Sequence, residues 1–223
     1  MANLLLYSGT NDGYCSSNPG TFAAARSSSG DLVDSNNSYD TTAISHQYYS
    51  GRGTYAIRRA FFEFDTSGIS VTPSAATLKI FGRTSDGSDM IAVRSEQGAT
   101  LAAGDFNSFP AAAVTALGNS DGSGAGTLAG VSSFTYSAEI TSWNGTGFND
   151  ITLNSTALEY MRLLDTFKVC VMNHDQDYLD IAGGTSETNG ITWTERLGTT
   201  QDPYIDYTAA VAADNATFFG ANF

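Results

Sequence analysis

The chain is poor in cysteine, histidine and basic residues, and each shortage narrows the functions that it can have. Its 223 residues include 2 Cys, 2 His and 10 Lys or Arg against 23 Asp or Glu, for a net charge of −13. Proteins that bind nucleic acid need Lys and Arg to neutralise phosphates and release counterions. The composition therefore argues against DNA or RNA as a partner.

The two cysteines, Cys15 and Cys170, are widely separated in sequence. Scattered cysteines in a chain without a secretory signal are more often reduced than bridged. Cys170 also lies within the apolar run 167–172, where a thiol packs as a small hydrophobic side chain. We expect a buried, unbridged Cys170.

Long hydrophobic runs are also missing. The first residues, MANLLLY, have no basic stretch and only a short apolar one, which fits neither a secretory signal nor a membrane span. We therefore expect a protein that is made in the cytoplasm without a signal peptide and that does not insert into a membrane.

The residues that are abundant predict a β-rich domain. Hydrophobic residues make up 41% of the chain and aromatic residues 12%, which is enough to form a core, whereas only 15% are charged. A chain of this length is within the range of one large all-β domain. Its surface must be built mainly from Ser, Thr, Asn and Gly.

The stretch 55–69 predicts the central strand of that domain. Ala60, Phe62 and Phe64 alternate with Arg59 and Phe61, and alternation with a period of two is typical of a strand. The residues DTSG that follow are typical of a turn. Further strands are predicted at residues 76–81 and 90–94, and the three together suggest a meander.

The remaining pattern predicts an antiparallel, jelly-roll-like β-sandwich over residues 1–207. Short strands are expected at 4–7, 23–26, 43–49, 134–140, 150–153, 167–172, 190–195 and 204–207, and residues 98–130 are expected to form an exposed loop. One short helix is expected from Thr156 to about Asp165, because Thr156 and Glu159 form a capping-box pattern. Residues 208–223 are expected to form a separate C-terminal extended arm.

Two blocks of sequence resemble a known family of β-sandwich domains. RAFFEFDTSGI at 59–69, followed by SAATLKI at 74–80, resembles the core of DNRLRE-type domains, which are akin to carbohydrate-binding modules. FNDITLN at 148–154 and DPYIDY at 202–207 resemble the second half of the same domain. The NDGY at 11–14 and the DFNSF at 105–109 look most like the versions carried by tailed phages and prophages.

The resemblance implies a non-enzymatic structural protein of a phage virion, either a capsid decoration protein or a tail-associated attachment protein. Its partners would be other virion proteins and further copies of the same chain. The family has no catalytic motif that could be transferred to this sequence. Its kinship with carbohydrate-binding modules leaves a second hypothesis, an adhesion module that recognises glycans on the host surface.

Aromatic residues are the candidates for glycan binding. Trp143, in the turn SWNGT, and the pair Tyr48 and Tyr49 could stack on sugar rings, because an aromatic face offers flat apolar area beside polar edges. The alternative is that they pack in the core or at its rim. Trp143 is the first of the three to test.

The acidic run 174–180 is the candidate metal site. Asp175, Asp177 and Asp180 could gather around Ca²⁺, which prefers oxygen ligands, although the run lacks the Gly and the terminal Glu of an EF-hand loop. The alternative is a solvated loop at the end of a strand. No other cofactor is expected.

Enzymatic motifs are weak. The sequence GNSDG at 118–122 matches the G-x-S-x-G pattern of a nucleophile elbow but lies in a run of Gly and Ser. Glu63 and Asp65, or Glu139, could be imagined as a glycosidase pair, but that mechanism requires a defined distance between carboxylates. We therefore expect no catalytic residues.

The C-terminal residues are small and apolar and include Phe218, Phe219 and Phe223. An arm of this kind would expose hydrophobic surface in an isolated monomer, so a partner or a neighbouring copy is expected to cover it. The alternatives are a disordered tail or a final strand.

Overall fold

Antiparallel strands dominate the computed structural model, which describes residues 3–37, 39–193 and 200–210. The strands are β1 (Asn3–Tyr7), β2 (Gly13–Ser17), β3 (Leu32–Asp34), β4 (Tyr39–Tyr49), β5 (Thr54–Asp65), β6 (Ala75–Asp86), β7 (Met90–Arg94), β8 (Phe148–Thr152), β9 (Thr166–Asn173), β10 (Glu187–Thr192) and β11 (Tyr204–Thr208). The helices are α1 (Phe22–Ser27), α2 (Ala111–Leu117) and α3 (Ser155–Leu163), with a 3₁₀ turn at Ala103–Asn107 and a π-helical turn at His174–Tyr178. The predicted all-β, sandwich-like class is confirmed.

The long strand β6 joins the two parts of the sheet. Its first half pairs with β11 and β8, and β1 adds to the far side of β11. Its second half pairs with β10, which continues through β4 to β5. The strands β2 and β9 also pair with β5, and β3 and β7 follow them.

The predicted meander of β5, β6 and β7 is wrong. None of these three strands pairs with another of them: β5 pairs with β2, β4 and β9, whereas β7 pairs with β9. Alternating side chains fix that a segment is a strand and which face it buries, but they do not specify its neighbour. The neighbours here come from distant parts of the sequence.

The inner core is the hydrophobic cluster packed against one face of β5. Ala60, Phe62 and Phe64 point into it, as the alternation predicted, and Phe167, Val169 and Val171 join them from β9. β6 contributes Leu78 and Ile80, and α3 contributes Ala157 and Met161. This cluster is the aliphatic and aromatic interior expected of a sandwich.

The outer core is a second cluster, packed against the opposite face of β5. Ile57 and Phe61 contribute from β5, Cys15 from β2 and Cys170 from β9, and both thiols are free and buried. The predicted buried role of Cys170 is therefore confirmed.

Residues 98–130 cover the outer core, so the prediction of an exposed loop for them is wrong. This segment contributes buried apolar side chains that are spread over a 3₁₀ turn, α2 and the turns around them: Leu101, Phe106, Phe109, Ala113, Leu117 and Leu128. The residues between them are mostly Gly, Ala and Ser. The average composition of the segment therefore predicts a loop, although its few large apolar side chains are buried.

Two other local predictions are wrong. Residues 23–26 form part of helix α1 and not a strand, because Thr21 caps the helix by accepting a hydrogen bond from the Ala24 amide. Residues 134–140 form only isolated bridges, which join Thr135 to Val93 and Ile140 to Met90.

The helix predicted near Thr156 is confirmed as α3, but its N-cap is Asn154, two residues earlier than expected. The Asn154 side chain accepts a hydrogen bond from the Ala157 amide at 3.0 Å, and the helix ends at Leu163. Asn is as good a cap as Thr. The helices α1 and α2 were not predicted.

Thr208, the first residue of the predicted C-terminal arm, is the last residue of β11. Thr208 pairs with Asn3 of β1 and with Ala75 of β6, and Ala209 and Ala210 follow it. The predicted partner-binding residues Phe218, Phe219 and Phe223 lie outside the described residues. The described residues contain no helix that could span a membrane.

Candidate functional site

The aromatic residues predicted to bind glycans do not form one surface. Tyr48 and Tyr49 lie at the end of β4 and line a shallow cleft with Ser50, Gly51 and Arg52. Trp143 instead contacts the middle of β10, where its Nε1 donates a hydrogen bond to the carbonyl of Gly190 at 3.3 Å. The structure therefore separates Trp143 from the tyrosine pair.

Trp143 lies at one end of a polar groove. Two adjoining clefts of about 290 and 480 Å³ run between residues 137–144 and strand β8, and they share Ile140, Ser142 and Asp150. Trp143 and Phe148 line one end, and Glu139 lines the other. A groove with aromatic walls, hydroxyl groups and carboxylates has the composition of a polar-ligand site.

The wall of the groove around Trp143 is held by a close backbone approach. The Asn144 amide donates to Asn149 Oδ1 at 2.7 Å, and Asn149 Nδ2 donates back to the Asn144 carbonyl at 3.0 Å. A Cβ atom at Gly82 would collide with that same carbonyl and would lie 2.9 Å from Trp143 Nε1. Glycine at position 82 thus allows the backbone at Asn144 and the Trp143 ring to pack directly on β6.

A continuous series of aromatic rings crosses the outer face of the sheet beside this groove. The ring centroids of Tyr7 and Tyr204 are 5.7 Å apart, those of Tyr204 and Phe148 are 5.4 Å apart, and those of Phe148 and Phe81 are 5.3 Å apart. We call these four residues the aromatic band. Tyr7 is its most exposed member, at 60%.

Sequence reasoning missed the aromatic band because its members come from β1, β6, β8 and β11. Within each strand, the alternation of side chains predicts which face of the sheet the ring lies on. The pairing of β1 with β11 was the missing information, and nothing in the local sequence of either strand specifies it.

Strand β1 is the most exposed apolar element among the described residues. It pairs with β11 on one side, and on its other side the described residues provide only one bridge, from Ser8, just after the strand, to Phe64 of β5. Leu4 is 45% exposed and Leu5 is 50% exposed. Natural sheet edges are usually protected by Lys, Pro or a bulge, and β1, with the sequence NLLLY, has none of these.

The three carboxylates predicted to bind Ca²⁺ do not converge. Asp177 is fully buried and accepts two hydrogen bonds of 2.6 Å from the guanidinium of Arg59. Asp180 forms an ion pair of 2.6 Å with the buried Arg26, whereas Asp175 lies 2.8 Å from the His174 ring. Two of the three carboxylates are therefore paired with arginine side chains and not with each other.

These arginines and carboxylates form a buried polar network. Arg26 also donates to the Asp177 carbonyl at 2.8 Å, and Arg59 donates to the carbonyl of Phe106 at 2.8 Å. Arg59 lies 4.0 Å from the centroid of the Phe106 ring. The network ties α1, β5, the 3₁₀ turn and the π-helical turn to one another beneath the outer core.

Neither the two cysteines nor the GNSDG sequence has the surroundings of an activated nucleophile. Burial raises the pKa of the Cys15 thiol to about 12 and that of Cys170 well above its ordinary value, so both thiols stay protonated at neutral pH. GNSDG, at 118–122, follows helix α2 and forms turns, whereas a nucleophile elbow lies between a strand and a helix.

A scan against models of protein families found no match to this chain, and a search of curated proteins found no significant match. The geometry of the β1 edge, the groove and the aromatic band therefore carries the functional argument.

Proposed function

We propose that the protein is a non-enzymatic structural component of a phage virion, in the capsid decoration or the tail, that assembles with further copies of itself through the β1 edge. The exposed, uncharged edge of β1 is the observation that carries this proposal. The resemblance of residues 59–80 and 148–207 to domains of tailed-phage proteins supplies the setting. The protein would be made in the host cytoplasm and then incorporated into the particle.

Electrostatics favours β1 as the contact between copies. Each chain carries a net charge of −13, so two copies repel each other over most of their surfaces. β1 contains no charged residue and presents Leu4, Leu5 and Tyr7 to solvent. Pairing at this edge would satisfy the open backbone groups of β1 and remove apolar side chains from water.

The C-terminal residues start beside the same surface. Ala209 and Ala210 line a cleft of about 170 Å³ with Leu4, Ile69 and Val71. The segment with Phe218, Phe219 and Phe223 follows in sequence, and its proposed role is to add apolar contacts to the same interface. Edge and arm would then act on the same neighbour.

Light-scattering mass measurements test the edge. Leu5→Lys places a charge at the centre of the β1 edge. The wild type is expected to assemble, and the variant is expected to remain a monomer. Val114→Lys is the matched control, because Val114 is 39% exposed on α2, and it should leave the assembly intact. A wild-type protein that is monomeric at all concentrations, or a Leu5→Lys variant that assembles normally, would contradict the proposal.

Truncation after Ala210 tests the arm. Thr208 must be kept, because its carbonyl accepts a hydrogen bond from the Ser74 amide at 2.9 Å and it pairs with Asn3 and Ala75. The truncated chain is expected to fold but to enter particles poorly. Normal incorporation would remove the arm from the proposal and leave the edge.

Glycan binding is the second candidate, favoured by the groove that runs from Glu139 to Trp143 beside the aromatic band. Aromatic faces and convergent hydroxyl, amide and carboxylate groups suit sugar rings. Asp150→Asn is the substitution least expected to disturb the fold, since the Asp150 side chain is 61% exposed. Its carboxylate lines both clefts. A glycan-array signal lost in Asp150→Asn and in Trp143→Ala, but kept in Tyr49→Ala, would place the ligand in the groove; an array without signal would reject this candidate.

A further inference from the structure

We propose that Glu139, His174 and Asp175 bind a divalent first-row transition-metal ion. One ligand atom from each residue, an imidazole nitrogen or a carboxylate oxygen, lies within 4.8 Å of the other two. The site is independent of the β1 edge, and it shares Glu139 with one end of the groove proposed for glycans. It also differs from the calcium site that the sequence suggested, with which it shares Asp175 alone.

Paired strands bring the three residues together. Met90 at the start of β7 exchanges two backbone hydrogen bonds with Ile140, at 3.0 and 2.8 Å, which places Glu139 beside that end of the strand. Met90 also pairs with Asn173 at the end of β9, so His174 follows directly. The His174 amide donates to the Asp89 carbonyl at 2.7 Å, which fixes the start of the π-helical turn.

The ligand set has the chemistry of a transition-metal site. The His174 Nδ1 atom is 2.8 Å from Asp175 Oδ1 and 3.3 Å from Glu139 Oε1. Ligands in a tetrahedral zinc site, with bonds of about 2.0–2.1 Å, are separated by about 3.3 Å. The Glu139 oxygen already has that separation from Nδ1, and Asp175 needs to withdraw by about half an ångström to reach it.

The imidazole selects among metals. Ca²⁺ and Mg²⁺ take oxygen ligands, whereas Zn²⁺, Co²⁺ and Ni²⁺ accept imidazole together with carboxylates. Binding requires a free lone pair on Nδ1, so the imidazole would carry its hydrogen on Nε2 and give up the Nδ1 hydrogen bond to the carboxylate. Solvent would complete the coordination, since the Glu139 and Asp175 side chains are 39% and 42% exposed.

The surroundings leave these two carboxylates available. Within the described ranges, no Lys or Arg pairs with Glu139 or Asp175, which lie against the His174 ring, whereas Asp177 and Asp180 are paired with buried arginines. The His174 ring stacks on Tyr178, with centroids 5.5 Å apart and planes at 23°. The ring is thus held in place while its Nδ1 faces both acids.

A tag-free chain is well suited to the test, because His46 is fully buried and His174 is the only other histidine. Titration with Zn²⁺ in a calorimeter and with Co²⁺ by visible absorption should give one ion per chain. His174→Gln should abolish the cobalt spectrum. Glu139→Gln and Asp175→Asn should each weaken binding by at least about tenfold, the loss typical even for groups that only support a ligand.

Glu96→Gln is the matched control. It removes one negative charge from a partly exposed carboxylate that is paired with Arg94 instead, and it should leave metal affinity unchanged. Zn²⁺ should raise the melting temperature of the wild type and of Glu96→Gln, but not that of His174→Gln, and melting of each metal-free variant verifies that it is folded. Absence of binding by the wild type, or equal binding by folded His174→Gln, would overturn the proposal.

Discussion

The two faces of strand β5 are buried in different ways. On one face, Phe62 and Phe64 pack into the inner core, which is formed by the strands and α3. On the other face, Phe61 packs into the outer core next to Arg59, which is fully buried and bound to Asp177. One strand thus supports an apolar interior and an interior that depends on buried charges.

The two faces are specified by different kinds of interaction. Apolar side chains at alternating positions are sufficient to build the inner core, because hydrophobic burial is non-directional. The outer core is covered by short helices and turns, whose backbone carbonyls need donors, and Arg26 and Arg59 supply them to Asp177, Gly126 and Phe106. A charge that is buried for this purpose must itself be paired.

Asp177→Asn should have the largest effect of the changes considered. It removes the buried charge that holds Arg59 at 2.6 Å and leaves two buried guanidinium groups with the single carboxylate of Asp180. Breaking a buried pair in this way costs about 3–5 kcal/mol. Urea denaturation followed by circular dichroism should show that loss in the free energy of unfolding.

Asp150→Asn is the control for that experiment. It breaks an ion pair of 2.6 Å with Lys79, but the Asp150 side chain is 61% exposed. Exposed pairs contribute at most about 1 kcal/mol. Equal free energies of unfolding for Asp177→Asn and Asp150→Asn would show that the buried network does not stabilise the outer core.

The inner core could be predicted from sequence to a large extent, and the outer core could not. The alternation predicts that Phe62 and Phe64 share one face of β5, because the strand period is a local property, and the same period puts Phe167, Val169 and Val171 on one face of β9. Asp177 and Arg59 are 118 residues apart in sequence, and an acidic run looks the same whether water or a buried arginine faces it.

The candidate site shows the same limit. Trp143 is a candidate because its aromatic face, in a polar turn, could stack on a sugar ring, and it does line a groove. The aromatic band and the Glu139–His174 contact were not found, because each depends on strand pairs between distant segments. Residues 98–130 were misread for a related reason: six scattered apolar side chains cover the outer core within a chain of mostly small residues.

Truncation of one leucine in each core should have the next largest effect, and it tests which of the two cores is more tightly packed. Leu78 is fully buried between strands that cannot move toward a cavity, so Leu78→Ala should cost about 3 kcal/mol. Leu117 is equally buried but lies at the end of α2, which can settle inward, so Leu117→Ala should cost about 2 kcal/mol. Chemical denaturation of both variants measures the difference, and a larger loss for Leu117→Ala would show that the outer core is the more tightly packed.

Acid should weaken the outer core before the inner one. His46 is fully buried, and its ring centroid lies 5.6 Å from those of Phe22 and Tyr55, which pack against the outer core. Burial lowers the pKa of His46 below its ordinary value of 6.5. In the inner core, Tyr14 is a phenol that is neutral throughout the acid range, and burial raises its pKa further, to about 12.

The sign of the expected pH dependence follows from this pKa shift. Below about pH 6.5 the unfolded chain takes up a proton at His46 while the folded chain does not, so the free energy of unfolding falls as pH falls toward the folded-state pKa. One such group contributes a slope of at most about 1.4 kcal/mol per pH unit. His46→Gln removes the group, and since all other titrating groups are common to both proteins, the difference between their stability profiles from pH 7 to about pH 5 isolates it. Parallel profiles would mean that His46 does not make the outer core acid-sensitive, and the comparison of the two cores would then rest on the arginine network alone.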